Sequence, residues 1–255
     1  MNSRIASTLT LLAALVLSGC ATNAPRADPF EGMNRVTYAF NDTIDKAVFT
    51  PVAKGYEAVT PGFFRVGVTN VFTNIGDVAT SLNNLLQGKV GYAASDAGRF
   101  VINSTLGVLG LFDLATPMGL EKHNEDLGQT LGTWGVGSGP FLMLPLLGPS
   151  SFRDSVTGIE GRFFGYSRYI DHVPTRNVTL GIDLVNLRAN LLGASKALDA
   201  AALDKYQFIR DAYLQRRLRN VHDGKVPQEK LDQLEEDLEP PKPVAPAKID
   251  TADKK

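Results

Sequence analysis

Several residue types that build common functional sites are scarce in this chain. Cysteine occurs once in 255 residues, so no disulfide can form within the chain. The three histidines lie far apart, and neither a His-Glu-x-x-His motif nor a cysteine cluster is present, which argues against a zinc site. The formal net charge of -1 lacks the basic character of a nucleic-acid-binding protein. We therefore expect no metal, no cofactor and no nucleic-acid partner.

Motifs of nucleophilic catalysis are also missing. Ser138 lies among glycines, but Val136 stands where a nucleophile elbow needs a glycine. The glycines at 135, 137 and 139 have the wrong spacing for a dinucleotide-binding loop. A triad of Ser138, His172 and an aspartate stays an alternative, because triads are recognised by geometry. We expect a protein without catalytic residues, and so not an enzyme.

The N-terminus has the three parts of a secretory signal. Arg4 gives a positive region, and residues 9–17 form an apolar stretch too short to span a bilayer. The following Leu17-Ser18-Gly19-Cys20 resembles the lipobox of bacterial lipoproteins, in which the cysteine is acylated and the chain is cut before it. This predicts a signal peptide over 1–19 and a lipid anchor at Cys20. The alternative is a plain secretory signal with an incidental cysteine.

The residues after the cysteine indicate where the protein is held. Residue 21 is Ala, whereas Asp there resembles an inner-membrane retention signal, so we expect a lipid-anchored protein of the cell outer membrane that faces the periplasm. About three acyl chains would hold it permanently, since each buried methylene contributes roughly 0.8 kcal/mol. Residues 20–29 are small, polar and Pro-containing, which is typical of a lipidated tether.

Beyond the tether, apolar residues recur every three or four positions, the period of an amphipathic helix. No period-two alternation bounded by hairpin turns is visible, so we predict an all-α fold, with a short β-hairpin within 130–147 as a weak alternative. The predicted domain covers 30–226, and Val52, Tyr56 and Val59 are expected to face inward. The first three predicted helices begin at Glu31, Pro51 and Pro61, and the third of them ends at Gly88. The later ones span Val90–Ser104, Ser151–Phe164, Thr175–Leu198 and Leu203–Val221.

Residues 227–255 form an acidic, Pro-rich tail. A short helix is expected after Pro227, ending near Leu238. The rest has few large apolar residues and cannot bury enough surface to offset the cost of ordering. We therefore predict that this tail is mostly disordered.

A 26-residue segment between Asp126 and Arg153 carries no formal charge. Its length suits a membrane-spanning helix, but it contains six glycines and three prolines, and each proline removes a helix hydrogen bond. Irregular backbone at membrane depth is tolerated only against protein or a wet cavity. One interpretation is a folded-back segment that lines a passage, and the other is a Gly-rich core loop. The first predicts channel or lipid contact by Trp134, Phe141, Leu142, Met143, Leu144 and Leu146.

Two other stretches have alternative interpretations. The run 106–112 is either the same kind of lining, through Leu106, Leu109 and Leu111, or a buried helix end. Four arginines lie toward the end of the last long helix: Arg210, Arg216, Arg217 and Arg219. We interpret them as placed near the negative end of the helix dipole. The alternative is that they contact lipid headgroups or an acidic partner.

Several motifs together resemble the MlaA (VacJ) family of outer-membrane phospholipid-transport lipoproteins, and they cover roughly residues 28–220. The specific ones are Asp28-Pro29-Phe30-Glu31-Gly32-Met33-Asn34-Arg35 and Gly128-Gln129-Thr130-Leu131-Gly132-Thr133-Trp134-Gly135-Val136-Gly137-Ser138-Gly139-Pro140. Supporting stretches are Leu144-Pro145, Arg153-Asp154, Asn103-Ser104-Thr105-Leu106-Gly107 and Arg210-Asp211-Ala212-Tyr213-Leu214-Gln215-Arg216-Arg217. One departure is Asp204-Lys205-Tyr206, where the family usually has Asp-Pro-Tyr, which puts that turn in doubt.

The resemblance implies a helical ring or disc embedded in one leaflet of the outer membrane, with an amphipathic channel through it. It also implies association with a trimeric porin, removal of stray phospholipids from the outer leaflet, and their transfer to a soluble periplasmic phospholipid carrier. On that basis residues 128–147, the Gly/Pro-rich segment, are expected to line the channel beside the 106–112 turn. A structural envelope lipoprotein and a lipid hydrolase that uses Ser138 are the alternatives.

Overall fold

The computed structural model describes residues 25–157 and 165–239. Cys20, the predicted signal peptide over 1–19 and the residues from 240 onward lie outside the described residues. The helices are α1 (Glu31–Ile44), α2 (Thr50–Val59), α3 (Gly62–Leu86), α4 (Val90–Thr105), α5 (Leu127–Thr133), α6 (Phe152–Thr157), α7 (Val173–Asn190), α8 (Leu192–Ala201), α9 (Lys205–Val221) and α10 (Gln228–Leu238).

Proline and glycine set several helix ends as predicted. Pro51 lies in the first turn of α2, and Pro61 caps α3, which ends before Gly88 at a φ of +77°. The predicted helix over Thr175–Leu198 is two helices, because the chain breaks at Leu191 between α7 and α8. Residues 158–164 of the predicted helix Ser151–Phe164 lie outside the described residues.

Helices α1 and α2 form one continuous rod through a π-helical turn at Asp45–Phe49. The turn inserts an extra residue into the helical ladder and rotates everything after it, a feature that is frequent at functional sites. It places the Asp45 carboxylate toward α7, where Arg188 binds it.

The fold is mostly helical, which confirms the all-α prediction, and the described residues add one small antiparallel hairpin. Strand β1 (Phe141–Leu144) pairs with β2 (Gly148–Ser151), with Phe141 opposite Ser151. The alternative of a short β-hairpin within 130–147 is therefore confirmed as a structure, but the hairpin lies further along the chain, over residues 141–151. Glycine and proline obscured the strand alternation, and the turn carries Leu146 at a φ of +63°.

Burial in this molecule is largely reversed. Among the described residues, eight apolar residues are buried, four of them alanines, against eighteen polar or charged ones. Val52 and Val59 are exposed, the latter to 81%, so the prediction that they face inward is wrong. The helical period of the apolar residues identified the apolar face of each helix, but it did not show whether that face packs in the core or lies on the surface. The apolar residues on one face of α3 are exposed as well; they include Phe64, Val78, Leu82 and Leu85.

No helix within the described ranges combines the length and apolar character that a membrane crossing requires. The exposed apolar surface is instead spread over many helices, including both ends of the α1–α2 rod.

The chain before α1 and the chain after α9 are docked onto each other. The amide of Ala27 donates to the Asp237 carbonyl, and Arg26 pairs with Glu236 at 3.0 Å. Leu234 and Leu238 of α10 pack against the apolar core. The short acidic helix ending at Leu238 is confirmed, and these contacts join the end of the predicted tether to the start of the predicted tail.

Candidate functional site

A cavity of about 1130 Å³ lies between the α1–α2 rod and helices α7 and α8, with the hairpin at one side. Fifteen of its 23 lining residues are polar or charged, while apolar atoms supply the larger part of the lining surface, so the cavity is amphipathic. The lining residues are Tyr38, Asn41, Asp42, Asp45, Lys46, Thr50, Lys54, Glu57, Arg65, Met143, Gly148, Pro149, Arg188, Ala189, Asn190, Leu192, Gly193, Ser195, Lys196, Leu198, Asp199, Lys205 and Ile209.

The best-fixed part of the wall is a two-pronged ion pair between the π-helical turn and α7. Arg188 donates from Nε and Nη2 to the two oxygens of Asp45 at 2.6 and 2.8 Å, and from Nη2 to Thr50 at 2.9 Å. These hydrogen bonds lower the pKa of the Asp45 carboxyl below its ordinary value of 3.8, against the effect of burial. The pair is therefore charged on both sides at neutral pH and fixes α7 to the rod.

Three further ion pairs border the cavity. Arg65 binds Glu57 at 2.8 Å, which joins the start of α3 to α2. The other two pairs are Lys46 with Asp42 at 2.6 Å and Lys205 with Asp199 at 2.5 Å. All three are partly exposed, so they contribute little to stability but place charge at the cavity wall.

An amide–hydroxyl network holds α3 against α7 next to the arginines. Asn186 and Asn190 of α7 both donate to the Thr69 hydroxyl, at 2.8 and 3.0 Å. Thr69 lies one turn after Arg65, and the two asparagines flank Arg188. Arg65 and Arg188 therefore come from neighbouring helices on one side of the cavity.

Helix α1 holds the hairpin beside the cavity. The Asn34 amide donates to the Phe141 carbonyl at 3.0 Å and accepts from the Met143 amide at 2.8 Å. Asn34 also donates to Asp28 at 2.8 Å, and both residues are fully buried. Tyr206 donates to the second oxygen of Asp28 at 2.5 Å, and its pKa is raised by burial and by this bond. The turn at Asp204-Lys205-Tyr206 thus forms without the usual proline.

The Gly-rich motif meets a buried ion network on α9. Arg217 bonds Asp126 at 2.6 and 2.9 Å and Asp154 at 2.9 Å, while Tyr213 donates to Asp154 at 2.5 Å. Burial alone would raise the pKa of both carboxyls, but the bonds from Arg217 and Tyr213 lower it. A Cβ on Gly128 would lie 2.3 Å from an Asp154 oxygen, so this glycine allows close approach of the network.

A second polar cluster fills the space between α3 and α4. Arg99 is 1% exposed and bonds Asp113 at 2.9 Å, and Asp77 pairs with Lys122 at 2.9 Å. Burial raises the pKa of Asp77 in spite of Lys122. A cavity of about 190 Å³ adjoins these groups. The cluster replaces an apolar core between the two helices, so their apolar faces point outward.

The residues predicted for channel or lipid contact are in three environments. Leu106, Leu109, Trp134 and Leu146 are exposed, and Leu111, Leu142 and Leu144 are partly exposed. Phe141 is completely buried and packs edge-on against Tyr206 and Tyr213, so it cannot contact lipid. Met143 is 5% exposed and is the one of the nine that lines the large cavity.

Within residues 128–147 only Met143 lines the large cavity, and the expectation that this segment lines a channel stays a prediction. Its buried part, Gly128, Gln129 and Thr130, packs against α3 and α9. Placement near the negative end of the helix dipole explains the arginines of α9 only in part. Arg210 and Arg217 are buried in ion pairs, while Arg216 and Arg219 are exposed.

Sequence reasoning missed most of the cavity wall. Asp45 and Arg188 are 143 residues apart, and nothing local marks them as partners. One signal in the sequence could have indicated it: these charged residues lie on helices whose other faces are strongly apolar. Because buried charges need partners, such residues are expected to pair with one another.

The family model "MlaA lipoprotein" matches residues 26–220. The intermembrane phospholipid transport system lipoprotein MlaA of Haemophilus influenzae is 30% identical over 239 residues, 89% of this chain and 94% of that protein. Its namesake in Escherichia coli K12 is 31% identical over 230 residues, 86% and 90% of the two chains. An uncharacterized protein of Rickettsia bellii is 35% identical over 198 residues, 76% of each.

A solved structure agrees with these matches. It comes from work on the structural basis for maintenance of bacterial outer membrane lipid asymmetry, and it superposes with a TM-score of 0.67 at 29% identity. The match covers 76% of this chain and 98% of that one. By sequence and by fold, this chain belongs to the MlaA lipoprotein family.

Proposed function

We propose that this protein removes mislocalised phospholipids from the outer leaflet of the outer membrane and passes them through its large cavity toward the periplasm, which maintains lipid asymmetry. The observation that carries the proposal is the reversed burial: ten charged side chains line the large cavity, while many large apolar side chains are exposed on the surface. The names of the H. influenzae and E. coli relatives support the same activity.

The physical demand of lipid transfer matches this arrangement. A phospholipid headgroup loses several kcal/mol if its polar atoms are buried without partners, whereas its acyl chains are stable only in an apolar environment. A cavity lined by charged side chains, in a molecule with many exposed apolar side chains, meets both demands at once. The headgroup travels inside while the tails stay next to the bilayer.

The apolar exterior would place the molecule at one leaflet. Phe63 and Phe64 on α3 are exposed, as are Leu109, Leu147 and Leu203 in the connections between elements. Extensive exposed apolar surface marks a membrane or protein contact. The lipobox-like Cys20 would supply the anchor. Leu106, Leu109, Trp134 and Leu146 are the contact residues that we retain, with Leu111, Leu142 and Leu144 beside them.

The transport route would need partners on both sides. A trimeric porin would hold the disc in the membrane, and a soluble carrier would collect lipid on the periplasmic side. Both are proposals that rest on the family resemblance and on the large apolar exterior.

One observation speaks against the hydrolase alternative. The Ser138 hydroxyl is buried without a hydrogen-bond partner among the described residues, whereas a serine nucleophile must bond its general base. The Ser138 carbonyl accepts from the Arg153 amide, a contact that serves the loop. The relatives are also named as transport proteins.

The test is the amount of phospholipid in the outer leaflet of cells that lack the gene, measured with an enzyme that acts only on surface-exposed phospholipid. A rise that the intact gene reverses, and Cys20→Ser does not, supports an anchored lipid remover. No rise contradicts lipid removal and favours a structural envelope lipoprotein. Fatty-acid release by the purified protein, abolished by Ser138→Ala, would instead favour the hydrolase.

A further inference from the structure

The charges around the large cavity do not balance. Its wall carries six cationic and four anionic side chains, an excess of two positive charges. Each carboxylate already has a cation within ion-pair distance: Asp42 with Lys46, Asp45 with Arg188, Glu57 with Arg65 and Asp199 with Lys205. The positive excess therefore belongs to the two remaining cations, Lys54 and Lys196.

These two lysines come from helices that touch each other. Lys54 lies on α2 and Lys196 on α8, both are exposed, and neither has a carboxylate within 4 Å among the described residues. Other lysines of the cavity, such as Lys46 and Lys205, are held by carboxylates. An ammonium group on a flexible stem remains free to move toward a charge that enters the cavity.

The neighbouring arginines add donors to the same wall. Arg65 Nε and Arg188 Nη1 are buried, and neither has a hydrogen-bond acceptor in the described part of the chain. Buried polar groups in proteins almost always have partners, so two unpaired guanidinium donors beside one cavity are notable. Oxygen atoms of a phosphodiester are strong acceptors for guanidinium groups.

We propose that the cavity selects phospholipids with a net negative charge over zwitterionic ones, and that Lys54 and Lys196 are the residues that determine this specificity. The inference rests on the proposed function and goes beyond it by naming the substrate class. A phosphodiester is attracted by the positive excess. An ammonium in the headgroup is repelled by that excess and finds no free carboxylate, because all four are paired.

The test uses full-length wild-type protein and the variant Lys54→Gln/Lys196→Gln, each equilibrated with vesicles of phosphatidylethanolamine and phosphatidylglycerol, re-isolated, and analysed for bound lipid by mass spectrometry. The wild type should enrich phosphatidylglycerol about fivefold over the vesicle ratio, the size of one unit-charge contact at 4 Å in water. The double variant should return to the vesicle ratio.

A matched control separates local from overall charge. Lys225→Gln/Lys230→Gln removes the same two charges from exposed positions outside the cavity lining and should keep the wild-type enrichment. A second arm replaces chloride with inorganic phosphate at equal ionic strength, and the enrichment should persist if the ligand is a lipid headgroup rather than free phosphate.

The outcomes are distinguishable. Equal lipid ratios for the wild type and the double variant overturn the charge selection and leave lipid transport standing. Loss of the enrichment in the control variant, or in inorganic phosphate, overturns it as well. Absence of any phospholipid on the wild type overturns both the selection and the proposed function.

Discussion

Asn34 and Asn41 make the same contact seven residues apart on one face of α1. Each side chain donates to a carbonyl oxygen and accepts from the amide two residues further on, Asn34 within β1 and Asn41 at its end. The two amides thus act as a short neighbouring strand for β1. They tie the hairpin, which borders the cavity at one side, to the rod that forms the adjacent wall.

Replacing Asn34 with Ala should lower the free energy of unfolding by about 3 kcal/mol, because a buried acceptor and a buried donor of β1 lose their partners. Asn41→Ala, at a more exposed position, should cost only about 1 kcal/mol. Denaturant unfolding of the two variants provides the comparison. Equal losses would show that the hairpin does not depend on the buried contact.

The glycines of the uncharged motif should differ sharply in tolerance. Gly128→Ala places a methyl group within 2.5 Å of Asp154 and Arg217, and should destabilise the protein by about 2 kcal/mol. Gly137→Ala has open space around it and serves as the matched control. Thermal unfolding of both variants measures the difference. A tolerated Gly128→Ala would mean that the network is not closely packed.

Acidification should weaken the contact between α5, α6 and α9. The folded-state pKa values of Asp126 and Asp154 lie below the ordinary 3.8. Their stabilising effect is therefore complete above that value and is lost as the pH falls below it. Unfolding followed by circular dichroism should show a falling midpoint below about pH 4.

The variant Arg217→Leu tests the origin of this pH dependence. It leaves Asp126 without its cation, while Asp154 keeps its ion pair with Arg153 at 3.1 Å, and it should cost about 3 kcal/mol at neutral pH. Its stability should then change less, or even rise, on acidification, because protonation removes the unpaired charge. A variant that keeps the wild-type acid profile would contradict the network as its source.

The apolar exterior should bind membranes without the lipid anchor. Mature protein with Cys20→Ser should float with phospholipid vesicles, and Phe63→Asp/Phe64→Asp should reduce this binding strongly, since each buried Phe contributes about 2 kcal/mol. Both residues are exposed, so the fold should remain. Lys225→Asp/Lys230→Asp is the control at exposed polar positions. Unchanged flotation of the Phe variant would contradict membrane contact by this surface.

Local structure was predictable from the sequence to a large extent. Pro51, Pro61 and Gly88 marked helix ends that the structure confirms, and the 3.6-residue period located the helices. The direction of the apolar faces was not predictable, since an amphipathic helix has the same pattern in a soluble core as at a lipid surface. Val59 illustrates this, being on the predicted face and 81% exposed.

The candidate site was much less predictable. The uncharged segment drew attention to residues 128–147, whereas the cavity wall comes mainly from charged residues of other helices. Its strongest pair, Asp45 and Arg188, depends on a π-helical turn that no local sequence rule predicted. Chain topology, not composition, brings these residues together.

If lipid passes through the large cavity, blocking that cavity should stop lipid removal. Ser195→Cys introduces a thiol into the cavity wall, and Ala194→Cys introduces one on the same helix outside the lining. The only natural cysteine is Cys20, which the lipid anchor would occupy. Each variant is labelled in cells with a bulky thiol reagent, and outer-leaflet phospholipid is then measured. Labelled Ser195→Cys should accumulate surface phospholipid while labelled Ala194→Cys and unlabelled Ser195→Cys do not; normal asymmetry with a fully labelled Ser195→Cys would contradict passage through this cavity.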